Sequence, residues 1–233
     1  MAGEDEPCRQ GGDPAMNLVD ELQVSATKDD VLVVLRNTRR LASKLKRPDI
    51  IGWLQAEQDG YKDGQTVPNY RRVGATLAYN SNGYIPAGYG RLQNGIEDLA
   101  SLGLDLQIPM RESISVILTL VDRIAQGEKC YYPIAAGSEE DRAIRKLVQF
   151  HPQYEQQITL LEHLNGSQIR AIPEHIKNKV LEWACELETA GVAGEGMTFS
   201  PKEVERAHSI TFNLTGCNID QLNNMGTNNR GTQ

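Results

Sequence analysis

The chain has 233 residues, 39% of them hydrophobic and 24% charged, which is enough apolar material for a packed core and outside the composition of disordered chains. Its formal net charge of −7 argues against wholesale duplex binding, whose affinity comes from neutralising phosphates. The longest apolar runs, such as Val31–Leu35 and Ile114–Val121, fall well short of the roughly 20 residues of a membrane-spanning helix, so no membrane association is expected.

Residues 1–16 are rich in Gly, Pro and acid and read as a disordered leader. They hold acidic Glu4, Asp5 and Glu6 with no apolar stretch behind them, unlike a secretory signal, so a cytoplasmic location is expected. The first helix is expected to begin near Thr27, which with Asp30 has capping-box spacing. Val31, Leu35, Thr38, Ala42 and Leu45 then recur at helical intervals. Pro48 is placed to open a second helix carrying Ile51, Trp53 and Leu54, with Gly60 as a left-handed cap, and the two helices are read as a hairpin.

From Val67 to Tyr89 the pattern becomes alternating and rich in Gly, Asn and Tyr, which predicts strand and turn. A short helix is expected over Leu92–Leu102 and a strand over Leu104–Ile108. Pro109 is read as opening a helix whose face is Ile114, Ile117, Leu118, Val121 and Ile124, ended by Gly127. Cys130–Ile134 looks extended, Glu139–Phe150 helical, and Ile158–Leu164 is apolar enough for either state. The last long helix is expected from Pro173 to Gly191, followed by Ser200-Pro201-x-Glu203 as a complete helix start. Residues 210–233, rich in Asn, Gly and Thr, read either as a flexible tail, which the composition favours, or as a strand-forming segment that pairs with a partner. The fold class is therefore α+β and mainly helical, with an N-terminal helical hairpin, a small β element in the middle, C-terminal helices and an Asn/Gly-rich tail. One domain is expected over 17–209.

Cys8, Cys130, Cys185 and Cys217 fit no zinc or redox spacing, and His151, His163, His175 and His208 share no ligand motif. No phosphate loop, nucleophile elbow or dinucleotide fingerprint is present, so the residues call for no metal and no cofactor. Arg36, Arg39, Arg40, Lys44, Lys46 and Arg47 form a candidate basic patch, but they spread around the helix and nucleic-acid binding is not favoured. The densest polar cluster lies in Trp53–Arg72. There Glu57, Tyr61, Tyr70, Arg71 and Arg72 are the candidate binding residues. A carboxylate, two phenols and two guanidiniums suit an anion or nucleotide pocket. The same groups suit a staple in which Glu57 pairs with one arginine and the tyrosines tie the loop to the helix end, and this second account is the simpler one. No catalytic residue is assigned.

Several separated blocks resemble one family. They are Arg40-Leu41-Ala42; Trp53, Leu54, Glu57, Gly60 and Tyr61; Val67-Pro68-Asn69-Tyr70-Arg71; and Gly95-Ile96-Glu97. The last runs from Lys179, Leu181, Trp183, Ala184, Leu187, Glu188 and Gly191 to Gly194-Glu195-Gly196-Met197-Thr198-Phe199-Ser200. In this order they are similar to the AbiTii domain of bacterial abortive-infection, phage-defence proteins, across most of residues 27–208. The resemblance implies a bacterial antiviral protein, a toxin-like effector of unassigned reaction. The absence of catalytic signatures, the mainly helical plan and the Asn/Gly-rich tail motivate a noncatalytic sensor or self-assembly module as the alternative. That alternative expects a protein partner or homo-oligomer, and the resemblance supplies no catalytic residues.

Overall fold

The computed structural model describes residues 16–81, 107–148, 158–194 and 198–212. The expected leader, the helix over Leu92–Leu102, the first part of the strand over Leu104–Ile108 and the tail beyond Phe212 lie outside these residues. Among the described residues there are seven α-helices and a four-stranded antiparallel sheet, a mainly helical α+β fold. The chain divides into two compact units, one from 16–51 with 177–212, the other from 52–176.

The first unit opens with α1 (Leu18–Lys28), a helix not anticipated from the sequence. Its start signal is Asn17, whose Oδ1 accepts from the backbone N–H of Val19 at 3.0 Å and of Asp20 at 2.9 Å. Thr27 is consequently no N-cap: it sits inside α1 and its hydroxyl donates to the Gln23 carbonyl at 2.8 Å. The next helix, α2 (Val31–Lys44), starts after Asp30, whose side chain makes no cap bond. α1 and α2 pack as an antiparallel hairpin. Leu18, Val19, Leu22 and Ala26 are buried on α1, and Val31, Val34, Leu35, Leu41 and Ala42 on α2. Asn37 Nδ2 donates to Ser25 Oγ at 2.9 Å and Arg40 pairs with Glu21 at 3.1 Å along the same seam.

α3 (Pro48–Asp59) opens on proline as expected and passes into the second unit. The polypeptide then forms a short 3₁₀ turn at Asn69–Arg71, strand β1 (Arg72–Ser81) and strand β2 (Gln107–Pro109). Pro109 thus closes an edge strand instead of opening a helix, a position where its missing N–H is tolerated. The helix that follows, α4 (Ile114–Ala125), is capped by Ser113, and Gly127 at φ 88° follows its end. β3 (Tyr131–Pro133), α5 (Glu139–Val148) and β4 (Ile158–Leu164) complete this unit with the start of α6 (Gly166–Thr189). Burial alternates along β4 through Leu160, Glu162 and Leu164, the period of a strand with one covered face. The sheet order is β2-β1-β4-β3, with Ala75–Ser81 of β1 facing β4 and Arg72–Gly74 facing β2.

α6 starts two turns earlier than Pro173. Asn165 Oδ1 accepts from Ser167 N–H at 3.0 Å and Gln168 N–H at 3.4 Å, which caps it there. Pro173 removes one backbone bond from the helix interior. The helix continues through it because Ile169, Ile172, Ile176 and Val180 form a single stripe of fully buried side chains. In the first unit, α7 (Pro201–Ser209) has the expected capping box of Ser200 and Glu203 with proline in the first turn.

Candidate functional site

Glu57 sits on the last turns of α3, one turn after Trp53. Gly60 follows the helix with φ 94°, and a Cβ at that position would stand 2.9 Å from the Arg111 carbonyl, so the tight reversal requires glycine. The turn places Tyr61 against Ala56 and Val67 in a small apolar cluster. Arg111 then pins the loop: its backbone carbonyl accepts from Tyr61 N–H at 2.7 Å, and its Nη1 donates to the carbonyls of Lys62 at 2.8 Å and Gln65 at 2.7 Å. The 3₁₀ turn swings Tyr70 and Arg71 back over the end of α3.

These elements converge on one carboxylate. Glu57 Oε1 accepts from the Tyr61 hydroxyl at 2.5 Å and from the Tyr70 hydroxyl at 2.7 Å. Glu57 Oε2 takes Arg71 Nε at 3.1 Å and is also bound by Arg71 Nη2. Tyr70 in turn accepts from Trp53 Nε1 at 2.8 Å, and Arg71 Nη1 donates to the Glu112 carbonyl at 2.8 Å. The Arg71 guanidinium lies 5.5 Å from the centre of the Tyr61 ring, within cation–π range. The Glu57 and Arg71 side chains are both 0% exposed. The structure therefore brings together four of the five candidate residues, Glu57, Tyr61, Tyr70 and Arg71. Arg72 begins β1, is exposed, and is not among the donors to Glu57.

Burial, and then the negative charge of Glu57, push the Tyr61 and Tyr70 phenols well above their ordinary range, so both stay protonated and act as donors. With four donors on its two oxygens, the carboxylate has its lone pairs committed. Proton abstraction or metal coordination by Glu57 would first have to displace one of them. The arrangement neutralises a fully buried arginine and joins α3, the 3₁₀ turn and the chain around Glu112.

Three further members, Glu112, Tyr132 and His175, had no signal in the sequence. Glu112 Oε1 accepts from the Tyr132 hydroxyl, while its Oε2 is buried with no hydrogen-bond partner. Tyr132 is pushed upward by burial and then by Glu112. The His175 ring stacks on Tyr70 at 6.1 Å and 24°. Each stands far from Glu57 in sequence and meets the cluster only through the packed elements.

The candidate basic patch does not persist as a unit. Arg40 pairs with Glu21, and Arg47 is buried, with its guanidinium on Asp49 at 2.6 Å and on the Ala207 carbonyl at 2.5 Å. Among the described residues, Cys130 and Cys185 are free, and no group of three or more His, Cys, Asp or Glu side chains is placed to hold a metal ion. No described helix is long and apolar enough to cross a membrane.

No curated protein and no solved structure matches this chain. One family model, described as AbiTii, matches residues 17–212, a span that takes in the Glu57 cluster and the capping box of α7. A match over most of the chain shows membership: the protein belongs to the AbiTii family, which suggests a role in abortive infection and phage defence.

Proposed function

We propose that this protein is an abortive-infection defence effector, toxin-like in its action on the infected cell, and that the Glu57 network is a folding clamp and not its reacting centre. Family membership supports the defence role. The observation that carries the second part is the commitment of one buried carboxylate to Tyr61, Tyr70 and Arg71. The same observation favours a second reading, a noncatalytic sensor or self-assembly module, because it removes the strongest sequence candidate for effector chemistry.

Inducible expression in bacteria with phage challenge tests both readings. The effector reading expects fewer plaques and growth arrest on overexpression alone. Protection without arrest supports the sensor or assembly reading. If the wild type neither protects nor arrests, the defence role fails in that host. A Glu57→Gln variant is expected to lose protection only in proportion to its loss of folded protein, measured by circular dichroism and soluble yield. A stable, folded Glu57→Gln protein with no protection would place Glu57 in the chemistry and overturn the clamp.

A further inference from the structure

The sheet of the second unit has two unlike faces. Val73, Leu77, Leu160 and Leu164 lie on one face and are buried. On the other, the strand register aligns Thr76 of β1, His163 of β4 and Tyr131 of β3 in a single row. None of the three is buried, and Tyr131 is 42% exposed. Its ring lies 5.0 Å from that of His163 at an angle of 33°, which braces the phenol on one side.

A cavity of about 410 Å³ opens beside this row, lined by Gly74, Thr76, His163, Leu164, Asn165 and Gly166 among others. That volume lies in the range of small-molecule sites. Lys129 and Arg170 do not line it, but each is set by its element next to a residue that does, Asn165 and Gly166. Leu164 N–H donates to the Cys130 carbonyl at 3.0 Å, which carries the β3–β4 register onward and sets Lys129 opposite Asn165. Arg170 lies one turn after Gly166 on the same face of α6. Both side chains are exposed.

We propose that this groove binds a nucleotide, with the base stacked on Tyr131 and the phosphate held by Lys129 and Arg170. Exposed rings on a sheet surface give stacking that tolerates any base, because every base has a π face. Thr76 and His163 line the cavity and carry hydrogen-bonding groups that a base edge can use. A net charge of −7 confines the attraction to this local patch, which suits a free nucleotide or a short single strand and disfavours long duplexes. The site is separate from Glu57 and does not depend on the defence role.

The test is fluorescence anisotropy of the full chain with a labelled oligo(dT), with AMP and dTMP as unlabelled competitors at low salt. Binding is expected to weaken as salt rises, and Lys129→Ala to reduce that salt dependence. Tyr131→Ala is expected to weaken binding about tenfold or more, while Tyr131→Phe stays close to wild type. Competition by a mononucleotide as strong as by unlabelled oligo(dT) identifies a free nucleotide as ligand, and a much tighter oligomer identifies a single strand. Tyr131 is exposed, so its truncation leaves the fold intact, as circular dichroism will check. Absence of binding by every probe, or equal binding by wild type and Tyr131→Ala, overturns the proposal.

Discussion

Arg47 and Ala207 are 160 residues apart in the chain, yet Arg47 Nη1 donates to the Ala207 carbonyl at 2.5 Å. The contact is reciprocated: His208 Nε2 lies 3.0 Å from the Leu45 carbonyl. The last turn of α7 thus receives Arg47 from just beyond α2, and the residue that caps α2 meets His208 from within α7. Asp49 completes the arrangement by taking Arg47 Nε at 2.9 Å and Nη2 at 2.6 Å. The Arg47 side chain is only 5% exposed, so lysine, which lacks the planar fork, cannot replace all three bonds. Arg47→Lys is expected to cost roughly 1–3 kcal/mol in urea unfolding. An unchanged midpoint would show that the reciprocal contact carries no stability.

The Glu57–Arg71 pair gives a sharper test because both side chains are fully buried. Removing either partner leaves the other charge buried and uncompensated, so Glu57→Gln and Arg71→Met are each expected to cost about 3–5 kcal/mol. The double variant should cost much less than the sum, since it buries no lone charge. Chemical denaturation of all four proteins measures the coupling. Additive losses would mean that the pair does not act as a unit.

Acid stability should depend on Glu203. Burial alone would raise its pKa, but the N–H groups of Ser200, Ala193 and Gly194 and the Ser200 hydroxyl outweigh it and hold the carboxyl at about 2, against an ordinary 4.5. A carboxyl depressed in the folded state contributes stability that is fully present above the unfolded value and is lost as pH falls through the folded one. Thermal melts of the wild type should therefore lose this contribution between pH 4.5 and about 2. Glu203→Gln should have a lower melting temperature near neutrality, and its gap from wild type should close across that window. A gap that stays constant with pH would reject the depressed pKa.

Gly60 and Gly64 separate steric crowding from backbone strain. Both have positive φ, 94° and 78°. A Cβ at Gly64 meets nothing within 4 Å, whereas at Gly60 it would approach the Arg111 carbonyl to 2.9 Å. Gly64→Ala is expected to cost about 1–2 kcal/mol, the left-handed penalty alone. Gly60→Ala should cost distinctly more and should also loosen Tyr61. Equal losses would show that the chain around Arg111 yields freely.

Local signals were legible where the physics is local. Ser200, Pro201 and Glu203 sit within one helical turn, and they form the expected capping box. Gly60 follows α3 and Gly127 follows α4 in left-handed conformations, as their spacing implied. Errors arose where one residue type has two uses. Asn17 starts a helix as well as Thr27 would have, and Thr27 spends its hydroxyl inside that helix. Pro173 usually begins a helix, but here a buried isoleucine stripe carries α6 through it. Pro109 closes a strand, because Ser113 supplies the cap for α4.

By itself, the sequence determined the apolar faces of the helices it identified, the glycines that follow α3 and α4, the start of α7 and the crowding of polar and aromatic groups into Trp53–Arg72. Those depend on contacts within a few residues. Only the tertiary structure decided that Ile158–Leu164 is a strand, because its partner β1 lies some eighty residues earlier in the chain. It likewise decided that Glu57 is buried with its oxygens filled and that Glu112 and Tyr132 adjoin the network. Burial and hydrogen-bond saturation are set by distant segments packing together, and no local pattern records them.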